Sequence, residues 1–498
     1  MTFTTVAGTG GSPDSFFGTQ GIDTISLNTL ANGAWLGARQ ADDVITIAAP
    51  ASRYTLNAGA GNDTITCQAA STISDSRVFG DAGGDTINIA AVSNSTVSGG
   101  QGIDSISTAG LVSSALINGN QGEDQININA GATNSSIFGG IDDDTITITT
   151  QLVNSVVQAN EGGDTITIAT GTSLQGSTVN GNAGNDTITV NAIAAFTNST
   201  LFGGHGNDSI NANNATVGVL VSGDAGNDDI VGGTGNDTLI GGTGNDSLFG
   251  GLGIDSYQVD AGVDSVGEVG EGGADVVVTS VGATANGTVT VDWVATANTT
   301  NAGLATFTSN AAGIDINLAL ATGANGYSIV GSTGAETLVG SAQADTITGA
   351  NGADALDGGA GVDSFVQADG SSVIWTAQTG VHPVGTFIIP GGVFTFGNST
   401  DVITNFAAGA GGDGINVTTA NNLTTLAAAA ATNALNVASN YLVRGAWNAG
   451  TRRFTQADAG ADALILFDLQ NAGFNNAAND NFIIATGVGA TLVAANFT

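Results

Sequence analysis

Along the first half of the chain, apolar residues recur in two short alternating runs every twenty residues or so. One run leads into a glycine turn, as in "STVSGG" (95–100), and the other leaves it, as in "DTITI" (144–148). Taking the turn aspartate as anchor gives Asp23, Asp43, Asp63, Asp85, Asp104, Asp124, Asp144, Asp164, Asp186, Asp208 and Asp228, separated by 19 to 22 residues. The second residue after each is Ile, from Ile25 to Ile230. The seventh before it is apolar, from Phe16 to Val221, and the fifth before it is Gly or Ala. Period-two alternation sends Ile146 and Ile148 to one face and Thr145 and Thr147 to the other, which predicts short strands. Self-similarity at this period predicts a solenoid, each repeat burying its apolar face against the next.

Two strands and two turns per repeat predict a flattened parallel β-solenoid with aliphatic rows inside. After Asp228 the spacing drops to nine, through Asp237 and Asp246 to Asp255. Nine residues make half a coil, so here both edges carry the glycine–aspartate turn. In the long repeats the opposite edge reads as a polar loop with Asn94, Asn134, Asn154 or Asn198, residues that suit tight turns.

The pattern divides the chain into a solenoid at 1–265, a strand-rich connecting unit at 266–330, a second short roll at 331–370 and a β-rich cap at 371–498. Nines return in the second roll at Asp345, Asp354 and Asp363. The Ala-rich stretch at 422–439 predicts one helix within the cap.

Charge changes the picture next. The 498 residues carry a net charge of −37, with 38 Asp among 43 acidic residues, six Arg and no Lys. That balance opposes binding to nucleic acid or anionic membranes and favours cations. Cys67 is the only cysteine, so no internal disulfide forms; its inward position predicts a buried structural thiol. No apolar run reaches the length of a membrane span, and the N-terminal stretch shows no signal-peptide pattern.

Anchors in register on adjacent coils stand about 4.8 Å apart. Two unit charges at that distance repel by about 3 to 4 kcal/mol at an effective dielectric of about 20. A hard divalent cation between coils removes the repulsion. Ca²⁺ fits best, because it takes six to eight oxygens in flexible geometry and glycine turns present carbonyls beside the carboxylates.

The stretches "GGTGNDTLIGGTGNDSLFGGLGIDSY" (232–257) and "GANGADALDGGAGVDSF" (349–365) resemble the calcium-binding nonapeptides of RTX proteins. That resemblance implies a right-handed parallel β-roll with several Ca²⁺ ions between successive coils. Carried onto this chain, it implies ligands at Asp228, Asp237, Asp246, Asp255, Asp345, Asp354 and Asp363. The longer repeats add Asp23, Asp63, Asp85, Asp104, Asp124, Asp144, Asp164, Asp186 and Asp208. Asp81 and Asp224, in the second turn position, could add carboxylate oxygen. Asp43, in the glycine-free "RQADD", and Glu336, which replaces the aspartate in "STGAET", are left out of the set.

No catalytic constellation accompanies these turns. HExxH and GxSxG are absent, and His205 and His382 do not pair. Outward threonines at 145 and 147, 165 and 167, and 187 and 189 raise ice binding, but Gln125, Asn127 and Ser105 interrupt the array. The expectation is a non-enzymatic, calcium-dependent structural protein, similar to RTX surface-layer proteins, that self-assembles outside a bacterial cell. The alternative is a secreted adhesin or matrix protein that binds a glycan or another cell. A cell-surface polysaccharide is a possible anchor. The segment at 400–417 resembles one that closes RTX regions, and the apolar tail resembles a type I secretion signal, so export without an N-terminal signal peptide is expected.

Overall fold

The computed structural model describes residues 15–27, 33–48, 51–68, 72–352, 354–360 and 363–367, together with the strand Thr2–Thr4 and nine strands between Trp375 and Ala485. Two compact units divide between Asp255 and Ser256.

The first unit is a parallel β-solenoid. Strands that leave the anchors, such as Gln125–Ile128, Thr145–Ile148 and Thr165–Ile168, stack in parallel register, Ile126 on Ile146 on Ile166. Strands that lead into the turns, such as Leu116–Gln121, Ser136–Ile141 and Val156–Glu161, stack likewise, Ile117 on Ile137 on Val157. All six of these apolar residues are fully buried. Burying an Ile or Val side chain contributes about 1.5 to 3 kcal/mol, and stacking repeats the gain at every coil.

Each long coil contains a third strand that the sequence pattern did not reveal. Two or three residues of the opposite edge pair in parallel from Ala51–Ser52 through Ala91–Ser93, Ala132–Thr133 and Ser173–Gln175 to Ala195–Thr197. Six of these strands each send one side chain inward, Ile73, Val92, Val112, Ala132, Leu152 and Leu174, all fully buried. One inward residue flanked by polar ones cannot announce a period of two, so the segment reads as a loop. The third sheet ends at Thr197; the coil from Asp208 to Asp228 still spans 20 residues, and from Asp228 the coils shorten to 18 residues with two strands and two glycine turns. The nine-residue spacing is therefore half a coil, as expected.

Asn94, Asn134, Asn154 and Asn198 all have φ between 46° and 50°. They are turn residues in the left-handed region that Asn tolerates. The residue after each is a serine that forms a ladder of its own. Ser76 N–H donates to Ser95 Oγ (3.0 Å), Ser135 to Ser155 (3.0 Å), Ser155 to Ser177 (3.1 Å) and Ser177 to Ser199 (3.1 Å). When the coil shortens, Asp237 takes over this role and accepts Val219 N–H at 2.8 Å.

Cys67 is a buried free thiol beside Tyr54, and burial pushes its pKa up to about 11. That is the structural role expected of it.

In the second unit the stretch at 266–330 also coils in parallel. Val263–Val269, Thr284–Val289, Leu304–Ser309 and Tyr327–Val330 form one row, and Trp293–Val294, Ile316–Asn317 and Thr337–Val339 form another. Its interior adds an aromatic stack to buried aliphatic residues such as Val277, Ile316 and Ile329. Trp293 lies 4.8 Å from Phe307 and Phe307 lies 6.0 Å from Tyr327, centroid to centroid, all three buried. Gly287 leaves room for the stack, since a Cβ there would lie 2.3 Å from the Phe307 ring. Further on, Asp401–Thr404 pairs in parallel with Asn481–Ala485. An antiparallel meander of Asp462–Phe467, Tyr441–Asn448 and Arg453–Gln456 continues the sheet. The Ala-rich stretch expected to be helical lies outside the described residues, apart from Ala427–Ala428, which pair with Tyr441 and Leu442 as strand.

Candidate metal centre

The anchors form a continuous buried row. Every anchor from Asp23 to Asp255 is at most 2 % exposed. Within the row, one carboxylate oxygen joins neighbouring coils. Oδ1 of Asp43 accepts Asp23 N–H (2.6 Å), and the same bond repeats at Asp63, Asp85, Asp104, Asp124, Asp144, Asp164, Asp186, Asp208, Asp228 and Asp246, at 2.6 to 2.9 Å. Asp255 bonds Asp237 N–H in the same way on the other edge (2.8 Å).

The residue before the anchor bonds in the opposite direction. Asn185, Asn207 and Asn227 Oδ1 each accept the corresponding N–H of the next coil, at 2.7 Å. The "ND" pair of the repeat thus ties each turn to the coil on either side. The sequence pattern shows that Asn recurs there but gives no reason for it.

The second oxygen carries the chemistry. In Asp43, Asp63, Asp85, Asp104, Asp124, Asp144, Asp164, Asp186, Asp208 and Asp228, Oδ2 is buried and has no hydrogen-bond partner. An ionised oxygen left in that state costs several kcal/mol, so it calls for a cation or a proton. Without a cation, protonation is favoured. Burial, aided by the neighbouring anchor carboxylates and opposed by the accepted amide, pushes Asp144 up to about 8 and Asp85, Asp124, Asp186 and Asp228 up to about 7. Burial likewise takes Asp63, Asp104 and Asp164 up to about 6.

The surrounding oxygens suit a hard cation. A Cβ built on Gly203 would lie 2.3 Å from Oδ2 of Asp208 and 2.8 Å from the Gly223 carbonyl oxygen of the next coil. Gly80, Gly119, Gly139 and Gly223 repeat that arrangement. This crowding restricts the position five before the anchor to Gly or Ala. Two residues before the anchor, a positive φ draws the backbone against the preceding coil; at Gly184, with φ 132°, a Cβ would meet the Gly162 carbonyl oxygen. Among the described residues no three His, Cys, Asp or Glu side chains converge on one point. A site here is built from a carboxylate and backbone carbonyls, the donor set of Ca²⁺ rather than of a thiolate or imidazole metal. Gly203→Val is expected to cost about 1 to 3 kcal/mol and to weaken calcium binding at that turn, as a thermal melt with and without calcium would show.

Asp43 belongs to the row: its carboxylate has the same amide bond and the same unpartnered Oδ2 as its neighbours. Arg39 and Ala41 supply the left-handed turn residues that glycine supplies elsewhere, with φ of 95° and 71°. Asp224 faces outward, exposed, and its Oδ1 accepts from Ser222 Oγ at 2.5 Å. Asp81 sits at the same turn position, bonded to Asn57. Both carboxylates still lie near the row: besides burial, the charge of Asp81 helps to raise Asp63 and Asp85, and that of Asp224 helps to raise Asp208 and Asp228.

Asp246, Asp255, Asp354 and Asp363 are buried anchors, each following a left-handed residue four positions earlier. Asp23, Asp237 and Asp345 are buried too, but donors of their own turns reach their Oδ2. The Glu336 carboxylate is filled by Ser332, Gly334 and Gly313. Asp264 and Asp275, which the pattern did not single out, are also buried, and Asp275 Oδ2 accepts Gly270 N–H (2.7 Å). His205 is exposed, and His382 lies outside the described residues.

Comparison with known proteins agrees with this geometry. The RTX calcium-binding nonapeptide repeat matches residues 55–66, 127–147, 177–192, 197–215, 222–257 and 330–365. No curated protein matches the chain. With all-strand parallel coils and buried anchor carboxylates, the chain carries RTX calcium-binding nonapeptide repeats, matched in both units.

Proposed function

We propose that this protein is a secreted, calcium-dependent structural subunit that assembles on the bacterial cell surface as a layer or filament. The row of unpartnered buried Oδ2 atoms from Asp43 to Asp228 carries the reading. Such a row has no use in a catalytic pocket, but it turns a long stack of coils into a scaffold whose folding depends on calcium. The anchors hold the ion, and the ion supplies charge neutralisation between coils; nothing further is asked of it. RTX repeat proteins are in general exported, and extracellular calcium suits sites of modest affinity. The acidic outer surface lets further calcium bridge one copy to another.

Light scattering and electron microscopy during a calcium titration test the reading. Folding followed by growth of ordered particles is expected; folding that stays monomeric would count against self-assembly.

One observation favours the adhesin alternative. Phe17 and Trp35 are 52 % and 36 % exposed, their rings 4.9 Å apart, with Arg39 5.1 Å above the Phe17 ring. An aromatic pair beside a cation on an otherwise acidic protein suits an acidic saccharide. Binding of such a saccharide to the calcium-folded monomer, lost in Trp35→Ala, would favour it.

A further inference from the structure

The turns of this protein come in two states, and the difference follows position within a row. Ten anchors, Asp43 to Asp228, have an unpartnered Oδ2. In each, the residue four before the anchor is left-handed: Arg39, Gly59, Asp81, Gly100, Asn120, Gly140, Asn160, Asn182, Gly204 and Asp224, with φ between 72° and 145°. Gly242, Gly251, Ala350 and Gly359, four before Asp246, Asp255, Asp354 and Asp363, are left-handed as well.

Four leading anchors break the rule, and so does Asp275, which the register places after Asp255 and whose Oδ2 accepts Gly270 N–H from its own turn (2.7 Å). At Asp23, Asp237, Glu336 and Asp345 the residue four before is Thr19, Gly233, Ser332 or Ser341, none of them left-handed. Its amide donates to the anchor instead: Thr19 to Asp23 Oδ2 (2.5 Å), Gly233 to Asp237 Oδ2 (2.7 Å), Ser332 to Glu336 Oε2 (3.3 Å) and Ser341 to Asp345 Oδ2 (2.6 Å). The three hydroxyls donate to the same carboxylates, at 2.8 to 3.2 Å.

These four share a place in the fold. Each begins a row of acidic anchors. Asp23 is the first anchor of the first unit. Asp237 stands over Val219, Asp345 over Tyr327, and the register of Ile316 on Leu338 sets Ile314 opposite Glu336.

We propose that the leading anchor of each row, Asp23, Asp237, Glu336 and Asp345, is a metal-free lock closed by its own turn, and that divalent cations enter a row only at the anchors that follow. This rests on the calcium reading of the row, yet it departs from what the repeat pattern alone implies, since Asp237 sits in a well-formed nonapeptide and Asp345 in a matched stretch. The physics is a competition for one oxygen. A Ser or Thr four before the anchor offers an amide and a hydroxyl and satisfies the carboxylate without metal. Gly, Asn or Asp at that position can enter the left-handed region, which carries the amide away and leaves the oxygen open, whereas Gly233 stays out of that region and keeps its amide on Asp237. A locked turn gives the next coil a finished edge to stack on before any ion is bound.

Calcium counting on the full chain, by equilibrium dialysis and atomic absorption, tests this. A combined Asp23→Asn, Asp237→Asn, Glu336→Gln and Asp345→Asn variant is expected to hold as many ions at saturation as the unaltered protein. A matched Asp104→Asn, Asp124→Asn, Asp144→Asn and Asp164→Asn variant is expected to lose about four. Equal losses in the two variants would overturn the lock while leaving the calcium reading intact. An unaltered protein that holds no calcium would overturn both. If the leading-anchor variant does not fold, hydrogen exchange on the unaltered protein in saturating calcium decides. Slow exchange at the Thr19, Gly233 and Ser341 amides supports the lock, and exchange at the rate of open solvent overturns it.

Discussion

Chelation of calcium is expected to unfold the first unit almost completely, with loss of the β signal in circular dichroism that returns on adding millimolar calcium. With a dissociation constant near 10⁻⁴ M per site, a tenfold excess of calcium contributes about 1.4 kcal/mol per site. Ten open anchors, Asp43 to Asp228, then contribute about 14 kcal/mol, comparable with the whole stability of an ordinary domain. At submicromolar calcium the same sites contribute almost nothing, so the chain would stay unfolded inside a cell and fold after export, metal binding and folding being one equilibrium. The stretch from 256 to 330 should respond less. Its core includes the Trp293, Phe307 and Tyr327 stack, and apolar burial does not depend on an ion. In a variant with Trp35, Trp375 and Trp447 replaced by Phe, the emission of Trp293, buried in that stack, reports it separately from the circular dichroism of the whole. A circular dichroism signal unchanged by chelator would overturn the calcium dependence of the fold.

The sequence carries the main architecture because the solenoid repeats one physical decision many times. The apolar residue two after each anchor and the one seven before it must both be buried, so a substitution at either would unstack two interfaces. Their period and the anchor positions could be read directly. The third strand could not, because Val92 or Val112 between polar neighbours looks the same whether the backbone turns or extends. The Asn of "GND" and the serines that follow Asn94, Asn134 and Asn154 escaped for a different reason. Their work is to accept a backbone N–H from an adjacent coil twenty residues away, and no local pattern distinguishes that from ordinary turn chemistry. Asp43 falls outside the glycine-based pattern because its turn lacks glycine. The structure shows that Arg39 and Ala41 adopt the same backbone at a cost of about 1 to 2 kcal/mol each, which stacking on both neighbours offsets. Candidate ligands were thus legible as positions, whereas the distinction between an open and a closed carboxylate lies in the φ of a residue four places away.

Acidity is expected to act in opposite directions with and without calcium. In chelator, the anchors from Asp63 to Asp228 have folded-state pKa values raised by burial, up to about 6 for Asp63, Asp104 and Asp164, about 7 for Asp85, Asp124, Asp186 and Asp228, and about 8 for Asp144. Unfolded, the same carboxyls ionise near 3.9. A raised pKa means that the fold prefers the protonated form. The stabilisation is therefore fully present below about pH 4 and is lost as pH rises through 6 to 8. The slope is about 1.4 kcal/mol per pH unit for every anchor that the folded chain keeps protonated while the unfolded chain does not. Whatever β structure survives in chelator should thus be most stable in mild acid and melt as the solution is brought to pH 8. With saturating calcium the ion takes the place of the proton on Oδ2, ligands must be ionised to bind, and affinity should climb over the same interval. Thermal melts at pH 5 and pH 8, each with chelator and with calcium, give the test in four curves. Crossing trends are the expected result, and parallel trends would mean that proton and calcium do not compete for the anchor row.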